Sequence, residues 1–182
     1  DFSRPASNTR TTFDIHGVLD SALNIAKYYK RMKGKKIVTS YGTDLRTVSL
    51  VRDRVLQVFL NLILNALDAT QEGAVIELTA QKTDEGIRIL VRDEGNGIPA
   101  AQHDLLFQPY FTTKGLGKGT GLGLPIVKKI IEEHGGTLAL TDAPPFTENA
   151  HAGAQAEIRL PRDATRARPR SRQTAVGGQG DA

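Results

Sequence analysis

Cysteine is absent from the 182 residues, which excludes a disulfide framework and any thiolate metal site and suits a reducing compartment. Long apolar runs are absent as well. Nothing in the chain approaches the roughly 20 residues that cross a bilayer, and the polar start Asp1-Phe2-Ser3-Arg4-Pro5 is no secretory signal. Net charge is small outside the C-terminus. Of the formal net charge of +4, residues 162–182 supply +3, from Arg162, Arg166, Arg168, Arg170 and Arg172 against Asp163 and Asp181. The other 161 residues are therefore near +1. A near-neutral body in which aromatics make up 5% of residues does not have the composition of a concentrated basic, aromatic-interleaved face, so nucleic acid is not expected as a partner. With 39% hydrophobic and 24% charged residues, the chain fits one ordinary soluble domain large enough to bury a core.

Residues 1–12 are polar, include Pro5, and read as the end of an element whose other half lies upstream. From His16 to about Met32 the apolar positions Val18, Leu19, Ala22, Leu23, Ala26 and Tyr29 recur at helical spacing, with Gly34 as a stop. Lys36–Tyr41 is β-branched and short, and Gly42-Thr43-Asp44 makes a turn after it. A second helix is expected from just after Ser49 or Asp53 to about Thr70, since Val55, Phe59, Leu62 and Ala66 fall at i, i+4, i+7 and i+11. Ala74–Lys82 and Gly86–Arg92 then read as a hairpin. Asp93–Thr120 is mostly loop. Leu122–His134 resumes helical periodicity before Gly135-Gly136, and Thr137–Thr141 and Gln155–Leu160 read as strands. From Arg162 onward Arg, Pro, Gly and Gln dominate, the composition of a disordered tail. The count predicts an α+β fold: a two-layer α/β sandwich with a mixed sheet of about five strands covered on one face by three helices.

Three segments carry chemistry. Gln57, Asn61, Asn65 and Asp68 lie at i, i+4, i+8 and i+11, on one face of the second helix. A solvated face favours Lys, Glu and Arg, whereas mid-helix Asn costs stability. Asn carbonyl oxygens suit a hard cation such as Mg²⁺ bridging protein and nucleotide phosphates; a plain solvent-facing stripe is the competing account. Asp93-Glu94-Gly95-Asn96-Gly97-Ile98-Pro99 follows an apolar strand. It serves either as a glycine turn, with Asp93 bonded to nearby amides, or as a close approach to a flat ligand whose amino group Asp93 accepts. Lys114 to Leu124 places glycine at every second position and runs into a helix, the arrangement of an anion cradle. Its spelling matches neither Gly-x-x-x-x-Gly-Lys-Ser/Thr nor Gly-x-Gly-x-x-Gly.

In this order the segments resemble the histidine kinase, gyrase, Hsp90 and MutL superfamily of ATP-binding domains (the Bergerat-type fold), most closely its sensor histidine kinase branch. Asn61-Leu-Ile-Leu-Asn65-Ala-Leu-Asp68 resembles the N box, and Asp93 to Pro99 the G1 box. Phe107-Gln-Pro-Tyr-Phe-Thr112-Thr113-Lys114 is similar to the F box, and Gly119-Thr120-Gly121-Leu122-Gly123-Leu124 to the G2 box. The likeness covers residues 13–161 as the catalytic domain. Residues 1–12 then resemble the end of an upstream dimerisation helix, and residues 162–182 form a basic tail.

The resemblance implies ATP and Mg²⁺ as cofactors. Asp93 would accept a hydrogen bond from the adenine amino group, Gly95 and Gly97 would flank the base, Asn65 would hold Mg²⁺, Asn61 would lie near the phosphates, and Asp68 and Ile98 would belong to the nucleotide-binding set. Phe107, Thr112, Thr113 and Lys114 would belong to the mobile lid, Gly119 to Leu124 would contact phosphate, and Asn61 and Lys114 would be catalytic. The other branches have Glu where this chain has Asn61. A carboxylate can take a proton from water and an amide cannot, which points to phosphoryl transfer rather than hydrolysis. None of His16, His103, His134 or His151 sits in a phosphoacceptor context; His134 fits a helix C-terminus facing the dipole, and His16 a helix start. The implied partners are a separate phosphoacceptor and dimerisation domain and a downstream response regulator, with the isolated domain a monomer and the full-length parent a homodimer. The implied location is cytoplasmic, whether or not the parent is a membrane-bound sensor. A serine kinase of the anti-sigma-factor type and a nucleotide-sensing module without transfer are the two alternatives on the same fold.

Overall fold

The computed structural model describes residues 9–43, 45, 47–109, 111, 123–144 and 153–161. Helix α1 (Ile15–Ala26) begins at Asp14, whose Oδ1 accepts the His16 N–H at 2.9 Å and so caps the first turn. Ile15, Val18, Leu19, Ala22 and Ala26 are buried on one stripe. The helix stops six residues short of the expected Met32 because the stripe gives out. Tyr28 is 92% exposed, Tyr29 takes extended backbone angles, and only a single 3-10 turn, Lys30–Met32, follows. Helix α2 (Arg52–Ala69) buries Val55, Val58, Phe59, Leu62, Ile63, Ala66 and Leu67, and α3 (Gly123–Glu133) buries Val127, Ile130 and Ile131. These are the three helices expected.

Two short strands were not expected. β1 (Thr11–Asp14) pairs antiparallel with β3 (Thr47–Leu50), Thr11 opposite Leu50 and Asp14 opposite Thr47. Thr11 and Thr12 therefore belong to this unit, so a boundary after residue 12 would cut through a strand. Each strand is four residues long, too short for a period-2 pattern to register, and only the pairing across some 30 residues of chain makes them strands.

The main sheet contains β2 (Lys36–Tyr41), β4 (Val75–Lys82), β5 (Gly86–Asp93), β6 (Thr137–Asp142) and β7 (Ala154–Pro161). Their spatial order is β2-β4-β5-β7-β6. β2 runs parallel to β4 and every other pair is antiparallel, which makes the sheet mixed as expected. Alternation assigns its two faces. Ile76, Leu78, Ala80, Ile87, Ile89, Val91, Ile158 and Leu160 pack in one core with the buried faces of the helices. The opposite face carries Arg88, Glu157 and Arg159, joined by ion pairs.

Buried His134 ties two helix ends together. Its Nδ1–H donates to the Ile130 carbonyl at 2.6 Å, and its Nε2 accepts the Val51 N–H at 3.2 Å. Val51 is the N-cap of α2 and has no side-chain cap of its own. His134 thus links the end of α3 to the start of α2, a specific bond in place of the general dipole contact expected of it.

Candidate functional site

The period of β5 explains why its last residue faces inward. Ile87, Ile89 and Val91 point to the core, so position 93 falls on the same face, at the strand's end and under the helices. There stands Asp93, 6% exposed. Its Oδ1 accepts the Gly95 N–H at 2.8 Å and the Ala154 N–H at 3.2 Å. Burial pushes the carboxyl pKa above the ordinary Asp value, and the two backbone hydrogen bonds pull it partly back.

The turn after Asp93 is pinned on three sides. Glu94 Oε2 accepts the N–H of Val75 at the start of β4 at 2.9 Å. Asp142 Oδ1, at the end of β6, accepts the Ile98 N–H at 2.8 Å. Gly95 is pressed against the last residue of α2, where a Cβ would come within 2.5 Å of the Ala69 carbonyl oxygen. A side chain at 95 would push the turn off the helix. Gly97 has φ 72°, a left-handed angle that favours glycine. His103 Nε2–H donates to the Ile98 carbonyl at 3.0 Å and steadies the next turn.

Asn61, Asn65 and Asp68 are half-buried on α2, and Gln57 is exposed. At 1.5 Å of rise per residue, Asn65 and Asn61 lie about 6 and 12 Å along the helix from Ala69, which touches the turn. Asp68 has a partner within the protein, since Arg31 Nε approaches its Oδ1 at 2.9 Å. Phe107 is half-buried beneath Lys128 of α3, whose Nζ lies 4.7 Å from the ring centroid, a cation–π contact. Gly123 and Leu124 open α3, and Leu124 packs on the core. Thr112, Thr113, Lys114, Gly119, Thr120, Gly121 and Leu122 lie outside the described residues.

The structure thus joins Asp93, Gly95, Gly97 and Ile98 in one hydrogen-bonded turn against the end of α2, with α3 packed beside α2. The sequence pattern singled out neither Asp142 nor His103 as holding this turn, nor did it point to Gly153, Ala154 or Arg31. Gly153 abuts this turn so closely that a Cβ on it would sit 1.7 Å from the Asp93 carbonyl oxygen. Ala154 acts only through its backbone N–H, and Arg31 reaches Asp68 from the Lys30–Met32 3-10 turn. A glycine heading a strand was a visible signal for Gly153; a backbone donor such as Ala154 leaves none. The arrangement can present a buried carboxylate to a hydrogen-bond donor at the edge of a flat ligand, next to a helix face of amide oxygens.

A family model described as histidine kinase-, DNA gyrase B- and HSP90-like ATPase matches residues 50–164. The sensor histidine kinase ZraS of Escherichia coli K12 is 36% identical over 135 residues, covering 74% of this chain and 29% of that protein. The chain spans about a third of the length of the curated relatives it matches. The catalytic domain of the histidine kinase ThkA superposes with a TM-score of 0.72 at 29% identity, covering 84% of this chain and 95% of that one. Full-length ShkA in complex with AMPPNP gives a TM-score of 0.70 at 26% identity, over 86% of this chain and 32% of that chain.

Proposed function

This chain belongs to the histidine kinase-, DNA gyrase B- and HSP90-like ATPase family, and on that footing we propose that it is the ATP-binding half of a sensor histidine kinase. It hands the γ-phosphoryl group to a His on a separate phosphoacceptor domain, from which a response regulator is served. The observation that carries this reading is the Asp93 carboxylate, buried at the strand end and held through Oδ1 by two backbone amides. A buried acceptor fixed in this way recognises the amino edge of adenine, while the glycines beside it let the base lie against the backbone.

Asn65, half-buried on α2, fits a hard cation through its amide oxygen. A Mg²⁺ ion bound through Asn65 would supply charge neutralisation for the reacting phosphoryl group. Asn61 one turn away orients the phosphates and, as an amide, does not activate water. Lys114 meets phosphate charge from the glycine-rich segment, together with Thr112, Thr113, Gly119, Thr120, Gly121 and Leu122. In the transfer a bond forms between the acceptor imidazole nitrogen and the γ-phosphorus, the β–γ bridging P–O bond breaks, and ADP leaves. In the full-length parent the phosphoacceptor domain makes the dimer, and this domain is a monomer on its own.

The test is a mixture of the chain with a separately prepared phosphoacceptor domain and γ-labelled Mg-ATP. Label on His, lost in acid and retained in base, is expected. Acid-stable label on serine would overturn the histidine reading, and ATP binding without any transfer would reduce the domain to a nucleotide sensor.

A further inference from the structure

The near-neutral body hides a strong local segregation of charge. Within residues 27–36 stand Lys27, Lys30, Arg31, Lys33, Lys35 and Lys36, with no acidic residue among the ten. The structure turns most of this segment outward, because α1 stops at Ala26 and the connection to β2 lies on the surface. Three of the cations are engaged: Arg31 with Asp68, Lys35 through its Nζ with the Leu67 carbonyl, and Lys27 through its Nζ with Asn24 Oδ1 at 3.4 Å. Lys27, Lys30, Lys33 and Lys36 are exposed and make no ion pair among the described residues. Glu72 lies beside Gly34 and offsets part of the charge.

The same stretch holds the molecule's exposed apolar side chains. Ile25, Tyr28, Tyr29 and Val38 are the exposed large hydrophobics among the described residues, and all four fall between positions 25 and 38. Tyr28, at 92% exposure, has almost no contact with its own domain. An aromatic left fully in water between lysines is an unused binding element.

We propose that residues 25–36 form a peripheral docking surface for an anionic lipid bilayer. The chemistry selects this partner in two ways. The cations of this segment that make no ion pair are all lysines, whose compact ammonium groups suit a diffuse anionic surface; the one guanidinium, with the planar fork that reads phosphates and base edges, is engaged by Asp68. The apolar members include aliphatic Ile25 beside two tyrosines, and this pairing matches the headgroup boundary, where tyrosine rings sit and lysine stems extend toward the phosphates. No helix among the described residues is long and apolar enough to cross a membrane, so the contact is a surface one. It lies beyond the proposed kinase reading and does not depend on it.

The test is sedimentation of the whole 182-residue chain with vesicles of phosphatidylcholine alone and with about one third phosphatidylserine. The chain should partition onto the anionic vesicles only and come off at about 0.5 M NaCl, where surface charges are screened. The five arginines of residues 162–182 can also attract such vesicles, so the decisive comparison is with the Lys27→Glu, Lys30→Glu, Lys33→Glu triple variant, which keeps that tail. At about fivefold or more per lysine, it should lose more than about tenfold of the partitioning, and Tyr28→Ser should lose a smaller factor. ATP binding should be unchanged in both. Equal partitioning of parent and triple variant, or none by the parent, overturns the proposal. So does a triple variant that loses affinity for a DNA duplex while its vesicle binding stays at the parental level.

Discussion

At the residue scale the burial of Asp93, the proposed adenine acceptor, works against stability at neutral pH. Its carboxyl pKa is raised in the fold, chiefly by burial, so its contribution to stability is present below the ordinary Asp value and lost as pH rises through the raised one. At neutral pH the ionised group costs stability. Asp93→Asn keeps an oxygen for the Gly95 and Ala154 amides and removes the charge. The nucleotide-free variant is therefore expected to have a higher urea midpoint than the parent at pH 7, with the gap closing as pH falls through the range where Asp93 takes up its proton. A lower midpoint at pH 7 would contradict this account. The place of Asp93 at the head of a glycine turn was legible because an apolar strand ended in Asp and two nearby glycines; the Ala154 donor holding it was not, since it comes from a strand some sixty residues away.

At the element scale, the long periodic helices and the hairpin were readable to within a few residues, with α1 as the exception. Tyr29 sits at a helical phase in the sequence, yet its backbone is extended, because a helix persists only where its apolar face is packed. β1 and β3 escaped notice because their order comes from each other. His134 exemplifies information that no window of sequence contains, a buried imidazole capping a helix 83 residues earlier in the chain. His134→Ala leaves the Val51 N–H without that acceptor and opens a cavity between α2 and α3. A loss of about 2 kcal/mol in urea unfolding is expected, with little change in nucleotide affinity. A loss below about 0.5 kcal/mol would mean that the bond is incidental.

At the scale of the whole molecule, the helix-covered face of the sheet builds the core and positions the candidate site, and the other face pairs Arg88 and Arg159 with Glu157. Arg88 and Arg159 stand directly opposite across β5 and β7, and Glu157 bonds to both. The hydrogen bond from Arg88, then that from Arg159 and their charges, holds the Glu157 carboxyl below the usual Glu value. A lowered folded pKa contributes stability above the ordinary Glu value that is lost as pH falls through the lowered one. Glu157→Gln should therefore lower the thermal midpoint at pH 7 and flatten its dependence on pH in the acid range. An unchanged acid profile would rule that out. The four ordered boxes made the family legible from sequence, while the segregation of lysines at 27–36 was concealed by a body charge that sums to almost nothing.

The proposed kinase function requires ATP to occupy the turn built around Asp93. Titration calorimetry of Mg-ATP into the parent and into Asp93→Asn tests this most directly, since Asn turns a donor toward the adenine amino group in place of an acceptor. Saturable binding by the parent with a loss of at least about tenfold in the variant, the order of one charged hydrogen bond, is the predicted result. Equal affinity in the two proteins, with the variant folded, would contradict it.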